Sequence, residues 1–336
     1  MRLDALTTPA LVVDAAALEG NLAAMSSERA GERLRPHVKA HKTTELARRQ
    51  LAHGHRGFTV ATVREAVGMA AAGLGEDLLL ANEVLDMTRL GAVVAAGSRV
   101  TVAVDSEVLA RAAVAAGVHE VLVDVNVGLP RCGCPPEQAG ALAKVCRSLG
   151  LAVRGVMGYE GHLMLVGDED ERASRTQECM ARLLTAHADV GGDVVSGGGT
   201  GTWRTNTCVT ELQAGSYALM DTAYTALPDL PFKQALTVLT TVVSVSQAGW
   251  AVADAGLKAF GMDHGNPTVP GAEVWFCSDE HTVFAMRGGA PLPDVGDRLA
   301  MVPAHVDPTC ALHERMHVVD ADGAVLETWP VDLRGW

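Results

Sequence analysis

The chain has 336 residues, 48% of them hydrophobic but only 4% aromatic. Ala, Val, Leu and Gly must therefore do most of the packing, as in helix-covered parallel sheets, and the length suits one large α/β domain plus a smaller one. A formal net charge of −13 argues against nucleic acid or an anionic membrane as partner, because both need a basic face; a small anion stays compatible, since a local pocket can oppose the global field.

No apolar run reaches the roughly 18 residues of a spanning helix. The start, "MRLDALTTPALVVD", lacks a signal-peptide pattern. The seven cysteines (132, 134, 146, 179, 208, 277 and 310) have no framework spacing. These features predict a cytoplasmic protein with free thiols. "RCGC" at 131–134 is a weak metal signal, because a lone Cys-x-Cys lacks a second pair.

In chain order, β-branched runs alternate with Ala/Leu/Arg-rich segments of helical period. Strands are predicted at 33–39, 57–62, 77–82, 99–104, 119–126, 152–159, 193–199 and 212–220, with helices such as 43–54 and 135–150 between them. Eight strands in βα alternation predict an α/β fold containing a (β/α)₈ TIM barrel, with a doubly wound sheet as the alternative. "SGGGTG" at 196–201 is not the G-x-G-x-x-G dinucleotide signature. Beyond residue 235 the helical period stops, and 236–247, 273–278, 281–288, 298–307 and 316–331 read as strands, with "DADG" at 320–323 as a hairpin turn. The expected division is a barrel over 15–235 and a β-rich C-terminal domain over 236–336, which residues 1–14 join through "PALVVD".

In a barrel, chemistry sits where strands end and βα loops begin. Lys39 ends the first predicted strand, Arg131 follows the fifth, Tyr159 and His162 follow the sixth, "SGGGTGTW" (196–203) follows the seventh, and "AGSY" (214–217) lies in the eighth. A Gly/Thr run after the seventh strand offers backbone N–H groups and hydroxyls to a phosphate. A lysine across the mouth from such a cradle suggests a phosphorylated aldehyde held as a Schiff base, with His37 and His41 as neighbours that lower the lysine's pKa. Strand parity puts Lys39 and His37 on one face and leaves Lys42 toward solvent, which favours Lys39.

"RPHVKAHKT", "GLPRCG", "GYEGH", "SGGGTGTW" and "ELQAGSYALMD" resemble motifs of the fold-type III pyridoxal-phosphate enzymes, in the branch of D-threonine aldolase, D-3-hydroxyaspartate aldolase and D-serine dehydratase. "DAGLKAFGMDHG" and "GDRLAMVPAHVDPT" carry the resemblance into the β domain. It implies an alanine-racemase-like barrel, a homodimer, and Lys39 as the cofactor lysine. It also implies cofactor contacts from His37, Arg131 (phenolic oxygen), Tyr159 (pyridine nitrogen), Gly198, Gly199, Thr200, Gly201, Thr202, Ser216 and Tyr217. One departure is Ala40, where the family usually has Thr.

His305 and Asp307 in "PAHVDPTC" are two apart on a predicted strand and so share a face, a usable half-site for a divalent cation. The resemblance implies the family's metal pair at these positions. Dehydratase members carry His-x-Cys, which suits zinc, whereas His-x-Asp suits manganese, magnesium or similar ions. His162 is the candidate general base. The reaction so implied is cleavage of a D-β-hydroxy-α-amino acid, of D-threonine or D-3-hydroxyaspartate type, to glycine and an aldehyde. The alternatives are a D-serine or D-3-hydroxyaspartate dehydratase and, more remotely, a non-catalytic cofactor-binding protein.

Overall fold

A computed structural model describes residues 1–336. By contacts the chain divides into two compact units, one of Met25–Lys39, Leu46–Gly215 and Gly335–Trp336, the other of Met1–Ala24, Ala40–Glu45 and Ser216–Arg334. Strand β1 (Ala10–Asp14) and helix α1 (Ala15–Glu28) come first, and α2 (Thr44–Ala52) follows the lysine-containing stretch. Alternation then sets in: β2 (Gly57–Val60), α3 (Val63–Ala71), β3 (Asp77–Leu80), α4 (Thr88–Ala95), β4 (Val100–Val104), α5 (Glu107–Ala116), β5 (Glu120–Asp124) and α6 (Pro136–Ser148). It continues through β6 (Ala152–Gly158), α7 (Glu169–Val190), β7 (Val194–Gly197) and the two-residue β8 (Glu211–Leu212). After the short α8 (Thr222–Thr225) come β9 (Leu236–Ser246), β10 (Trp250–Ala253), β11 (Ala272–Cys277), β12 (Thr282–Met286) and β13 (Arg298–Met301). Helix α9 (Val306–Leu312) and the pair β14 (Arg315–Val319) and β15 (Val325–Pro330) complete the order.

In the first unit, β2 to β8 form one curled parallel sheet in chain order. Its strands are buried on both faces, as in the wholly buried β4, so they read as unbroken apolar runs rather than alternating ones. The eighth place, expected as a strand over 33–39, is irregular. Leu34 bridges Leu212, and His37 bridges Thr59, which joins the last strand to the first. Pro36 stands between the two bridges and has no N–H for a ladder, so a regular strand cannot form; its carbonyl still accepts from Thr59 N at 2.9 Å. Val38–Ala40 then closes into a 3₁₀ turn. The parity argument for Lys39 and His37 therefore fails, because period-two alternation does not hold in such a turn. The strand predicted at 212–220 likewise reduces to Leu212 at the end of β8 and a 3₁₀ turn at Ser216–Ala218.

The second unit is a mostly antiparallel sheet in the order β11-β12-β10-β9-β1-β14-β15, with β13 also on β9. β1 runs parallel to β14 and antiparallel to β9. β10 escaped the sequence reading; it returns on β9 through a turn where Gly249 takes φ +103°. The hairpin at 320–323 forms around Asp320, whose Oδ1 accepts from the amides of Asp322 and Ala324. The strand predicted at 298–307 ends at Met301, and Val306 starts α9 instead. Pro308 is tolerated there because the first helical turn leaves its N–H groups unused.

An ion-pair network ties the strand entries of the barrel unit together. Buried Arg35 meets Asp77 Oδ2 at 2.7 Å through Nη2 and Glu211 Oε2 at 2.9 Å through Nε. Arg154 Nη1 reaches Asp77 Oδ1 at 3.1 Å and donates to Thr101 Oγ1 at 2.7 Å. Gly57 leaves room for this cation, since a Cβ there would lie 2.7 Å from Arg35 Nη1. Burial alone would raise the Asp77 pKa, but the hydrogen bond and charge of Arg35, then Arg154, outweigh it and hold the carboxyl below its usual range. A depressed carboxylate contributes stability above its unfolded pKa of about 3.9 and loses it as pH falls through the lower folded value. Asp77→Asn should cost on the order of 3 kcal/mol at pH 7 by leaving Arg35 short of a partner. Thermal melts of wild type and variant should show that gap closing below about pH 4; a gap independent of pH would remove the ionic explanation.

Candidate active site

Lys39 is half-buried in the 3₁₀ turn that follows the barrel-closing bridges. His37 is buried beside it, and its Nδ1 faces the Lys39 amide at a long 3.5 Å. Lys42 belongs to the other unit, where it is half-buried with φ +51° and its carbonyl accepts from Leu333 N. There its charge acts on Cys310, drawing that thiol's pKa downward. It is not the solvent-facing residue that the sequence predicted.

After β5, Asn126 builds the loop that carries Arg131. Its Nδ2 donates to Leu129 O at 2.9 Å and Cys132 O at 3.3 Å, and its Oδ1 accepts from Gly128 N. Arg131 extends over the Tyr159 ring, 5.4 Å from its centroid. Cys132 and Cys134 belong to the same turn, with Cys134 N and O bonded to Asp124 and Asn126 backbone. Burial and acidic neighbours push their thiols up to about 11 and about 12, so neither offers a thiolate at neutral pH. Asp124 is raised well above its ordinary value by burial, then by the charge and hydrogen bond of Glu83, with Arg131 opposing them.

His162, three residues past Tyr159, is exposed and lies against α7 and the Asn126 loop. Its Nε2 is 4.0 Å from Cys179 Sγ. Burial, then the charges of Arg175 and Arg182, lower its pKa, so the ring is neutral at pH 7. The Gly-rich stretch after β7 is buried from Ser196 to Trp203. Gly198 takes φ +75°, where a Cβ would also lie 2.4 Å from Leu212 Cδ1. A Cβ at Gly199 would approach Met164 Sδ to 2.8 Å, and one at Gly201 would reach Met164 O at 2.0 Å. Thr202 Oγ1 donates to Glu160 Oε1 at 2.8 Å.

In the β unit, His305 and Asp307 meet at the start of α9 rather than along a strand. His305 is the extended N-cap residue and Asp307 lies in the first turn. His305 Nε2 is 3.9 Å from Asp307 Oδ1, and Nδ1 is 2.7 Å from Asp263 Oδ2. A carboxylate only accepts, so the ring proton sits on Nδ1 and the Nε2 lone pair faces Asp307. His264 stacks on His305, ring centroids 4.1 Å apart. Ser216 Oγ donates to Asp307 Oδ1 at 3.2 Å. Asp221 accepts from Tyr224 N in α8 and from Val306 N at the start of α9, tying the two together; burial first pushes its carboxyl up to about 6. Tyr217 is fully buried and packs against Phe232 at 5.6 Å.

A family model described as alanine racemase, N-terminal domain, matches residues 13–223, and one described as putative serine dehydratase domain matches 235–319. A D-threonine aldolase from Arthrobacter sp is 38% identical over 355 residues, covering 98% of this chain and 93% of the relative. A 3-hydroxy-D-aspartate aldolase from Paracoccus denitrificans (strain Pd 1222) is 34% identical over 362 residues, covering 98% and 92%. The crystal structure of D-threonine aldolase from Filomicrobium marinum matches with a TM-score of 0.93 at 36% identity, covering 100% of this chain and 98% of the other. The chain belongs to the fold-type III pyridoxal-phosphate enzymes. It is a lyase, as its relatives are.

Pyridoxal phosphate is the cofactor expected of this family, and the barrel unit's residues fit it. The glycines at 198, 199 and 201 let the loop pack tightly against Leu212 and Met164, a side-chain-free turn whose backbone N–H groups suit a phosphate, and a half-buried lysine ends the barrel-closing stretch. A divalent cation also fits the β unit's donors. Bonds of about 2.1 Å let one ion span an imidazole nitrogen and a carboxylate oxygen 3.9 Å apart. Asp263, His264 and His305 form a second possible grouping, with ligand atoms within 4.8 Å, but the short His305–Asp263 hydrogen bond makes Asp263 an orienting partner. Such carboxylates fix ring tautomers at metal sites. Cys310, expected to face away from Asp307 on a strand, is instead one helical turn from it and fully buried. Burial pushes its thiol far up, so it remains unsuited to bind a cation.

The sequence reading missed Glu160, Asp221 and Asp263. "GYEGH" and "GMDHG" contain two of them, but nothing in spacing tells a buried orienting acid from a surface one. Asp263→Ala should release the His305 ring. Long-range ¹H–¹⁵N spectra of the metal-free protein should show Nδ1 protonation in wild type and a tautomer mixture in the variant; identical spectra would mean that Asp263 does not set the tautomer.

Proposed function

We propose that this enzyme cleaves a D-β-hydroxy-α-amino acid, of D-threonine or D-3-hydroxyaspartate type, into glycine and an aldehyde. The carrying observation is the donor pair at α9, an imidazole nitrogen and a carboxylate oxygen with no thiolate. In this family His-x-Asp goes with the aldolases and His-x-Cys with the dehydratases. The pair also favours manganese, magnesium or a similar ion over zinc.

When bound, pyridoxal phosphate supplies an electron sink for the pair released as the Cα–Cβ bond breaks. A divalent cation supplies Lewis acidity at the β-hydroxyl. Lys39 Nζ would anchor the cofactor covalently. Backbone N–H groups of the 198–202 loop would hold the phosphate, and Arg131 would bind the phenolic oxygen. Tyr159 would face the pyridine nitrogen, where a phenol favours its protonation less than a carboxylate would. His162, kept neutral by burial and by Arg175 and Arg182, takes the β-hydroxyl proton. His305 and Asp307 would hold the cation, and Asp263 keeps the His305 lone pair directed away from itself.

The dehydratase reading draws on the domain description matching 235–319. We infer a homodimer from the family resemblance; Val243, Val245, Trp275 and Phe276 are exposed apolar side chains on β9 and β11 that a second copy would cover. The seven free cysteines suit a reducing cytoplasm, and no helix is long and apolar enough to cross a membrane.

Product analysis tests the reaction. Holoenzyme with D-threonine, D-3-hydroxyaspartate or D-serine should release glycine and aldehyde from at least one of the first two. EDTA should abolish turnover and manganese restore it. Ammonia and a keto acid as the only products would overturn the aldolase reading.

A further inference from the structure

Glu160, the residue after Tyr159, is wholly buried, and no cation pairs with it. Its carboxylate collects three neutral donors from the Gly-rich stretch and its continuation. Oε2 accepts from Gly198 N at 3.2 Å; Oε1 accepts from Thr202 Oγ1 and from Asn206 Nδ2, both at 2.8 Å. Burying a carboxylate without a counter-charge is costly, and a fold that needed only to fill this space could use an apolar side chain. Burial pushes the Glu160 pKa up, with the three donors opposing it. The neighbours in sequence of Gly198 and of Glu160 itself lie near the Tyr159 ring. A Cβ at Gly199 would lie 3.5 Å from Tyr159 Cε2, and one at Gly161 would come within 2.4 Å of Tyr159 Cε1.

We propose that Glu160 is a positioning residue for the cofactor phosphate: it occupies the Gly198 N–H and the Thr202 hydroxyl, and it sets the loop so that the backbone N–H groups of Thr200 and Gly201 serve the anion. This deepens the reading of 198–202 as the phosphate site and rests on it. It also revises that reading, because Gly198 and Thr202 become the fixed base of the cradle rather than its phosphate donors. The loop's internal bonds agree with this division: Thr202 N donates to Gly199 O and Trp203 N to Thr200 O, and Gly199 N faces Thr202 Oγ1. A carboxylate suits the task because both its oxygens only accept. A glutamine would set an NH₂ group against one of the donors that Glu160 now receives.

The test compares pyridoxal phosphate with pyridoxal, which lacks the phosphate, in titrations of the apoprotein followed by absorbance and fluorescence. Wild type should bind the phosphorylated form far more tightly. In Glu160→Gln, that preference should fall by about tenfold or more, the scale of one lost hydrogen bond to a charged group, while pyridoxal affinity stays within about twofold. Asn206→Ala, which weakens the clamp from the far side, should shift the ratio in the same direction and decides the matter if Glu160→Gln does not fold. Equal weakening of both ligands, or an unchanged ratio, would overturn the positioning role. A wild type that does not distinguish the two ligands would instead overturn the phosphate reading beneath it.

Discussion

The structure turns on how the parallel sheet closes. Pro36 denies the stretch after Arg33 a regular strand, so closure rests on two single bridges, Leu34 to Leu212 and His37 to Thr59. Arg35 lies between them, buried among Asp77 and Glu211. A cation buried in this way is costly unless paired on more than one side, and here the pairing draws acids from β3 and β8 to one side chain. The closure ends in a 3₁₀ turn, and Lys39 stands in it. The irregularity that weakens the ladder thus sets the lysine on a tight turn instead of a pleated strand.

Three acids recur in a single role. Glu160 holds backbone and hydroxyl donors of the Gly-rich loop, Asp221 holds the Val306 amide, and Asp263 holds the His305 ring. None of the three is paired with a lysine or arginine in these contacts. Acids without counter-cations pin neighbouring groups by accepting hydrogen bonds, which constrains geometry more tightly than a mobile surface pair would. The residues they pin belong to the Gly-rich loop and to the His305–Asp307 segment.

Much of the fold was legible in the sequence. The βα alternation from 57 to 197 reads clearly because strands buried on both faces are continuous apolar runs between amphipathic helices. "DADG" announces its hairpin through Asp320 and Gly323. The failures share a physical cause. Residues 33–39 look like a strand in composition, but one missing N–H decides otherwise. Residues 302–307 look like the end of a strand, but Pro308 suits the first turn of a helix. His305 and Asp307 approach each other through an N-cap and a first turn, not through strand alternation. Lys42 was misread as solvent-facing because its left-handed backbone cannot be seen in sequence. The orienting acids were invisible because hydrogen bonding to a distant loop has no periodic signature.

The account's central claim is that Lys39 anchors the cofactor. Borohydride reduction of the holoenzyme, followed by proteolysis and mass spectrometry, locates the pyridoxyl adduct directly. The adduct should lie on Lys39, with none on Lys42 three residues away. A pyridoxyl group on Lys42, or on any lysine outside the 34–42 stretch, would contradict the account.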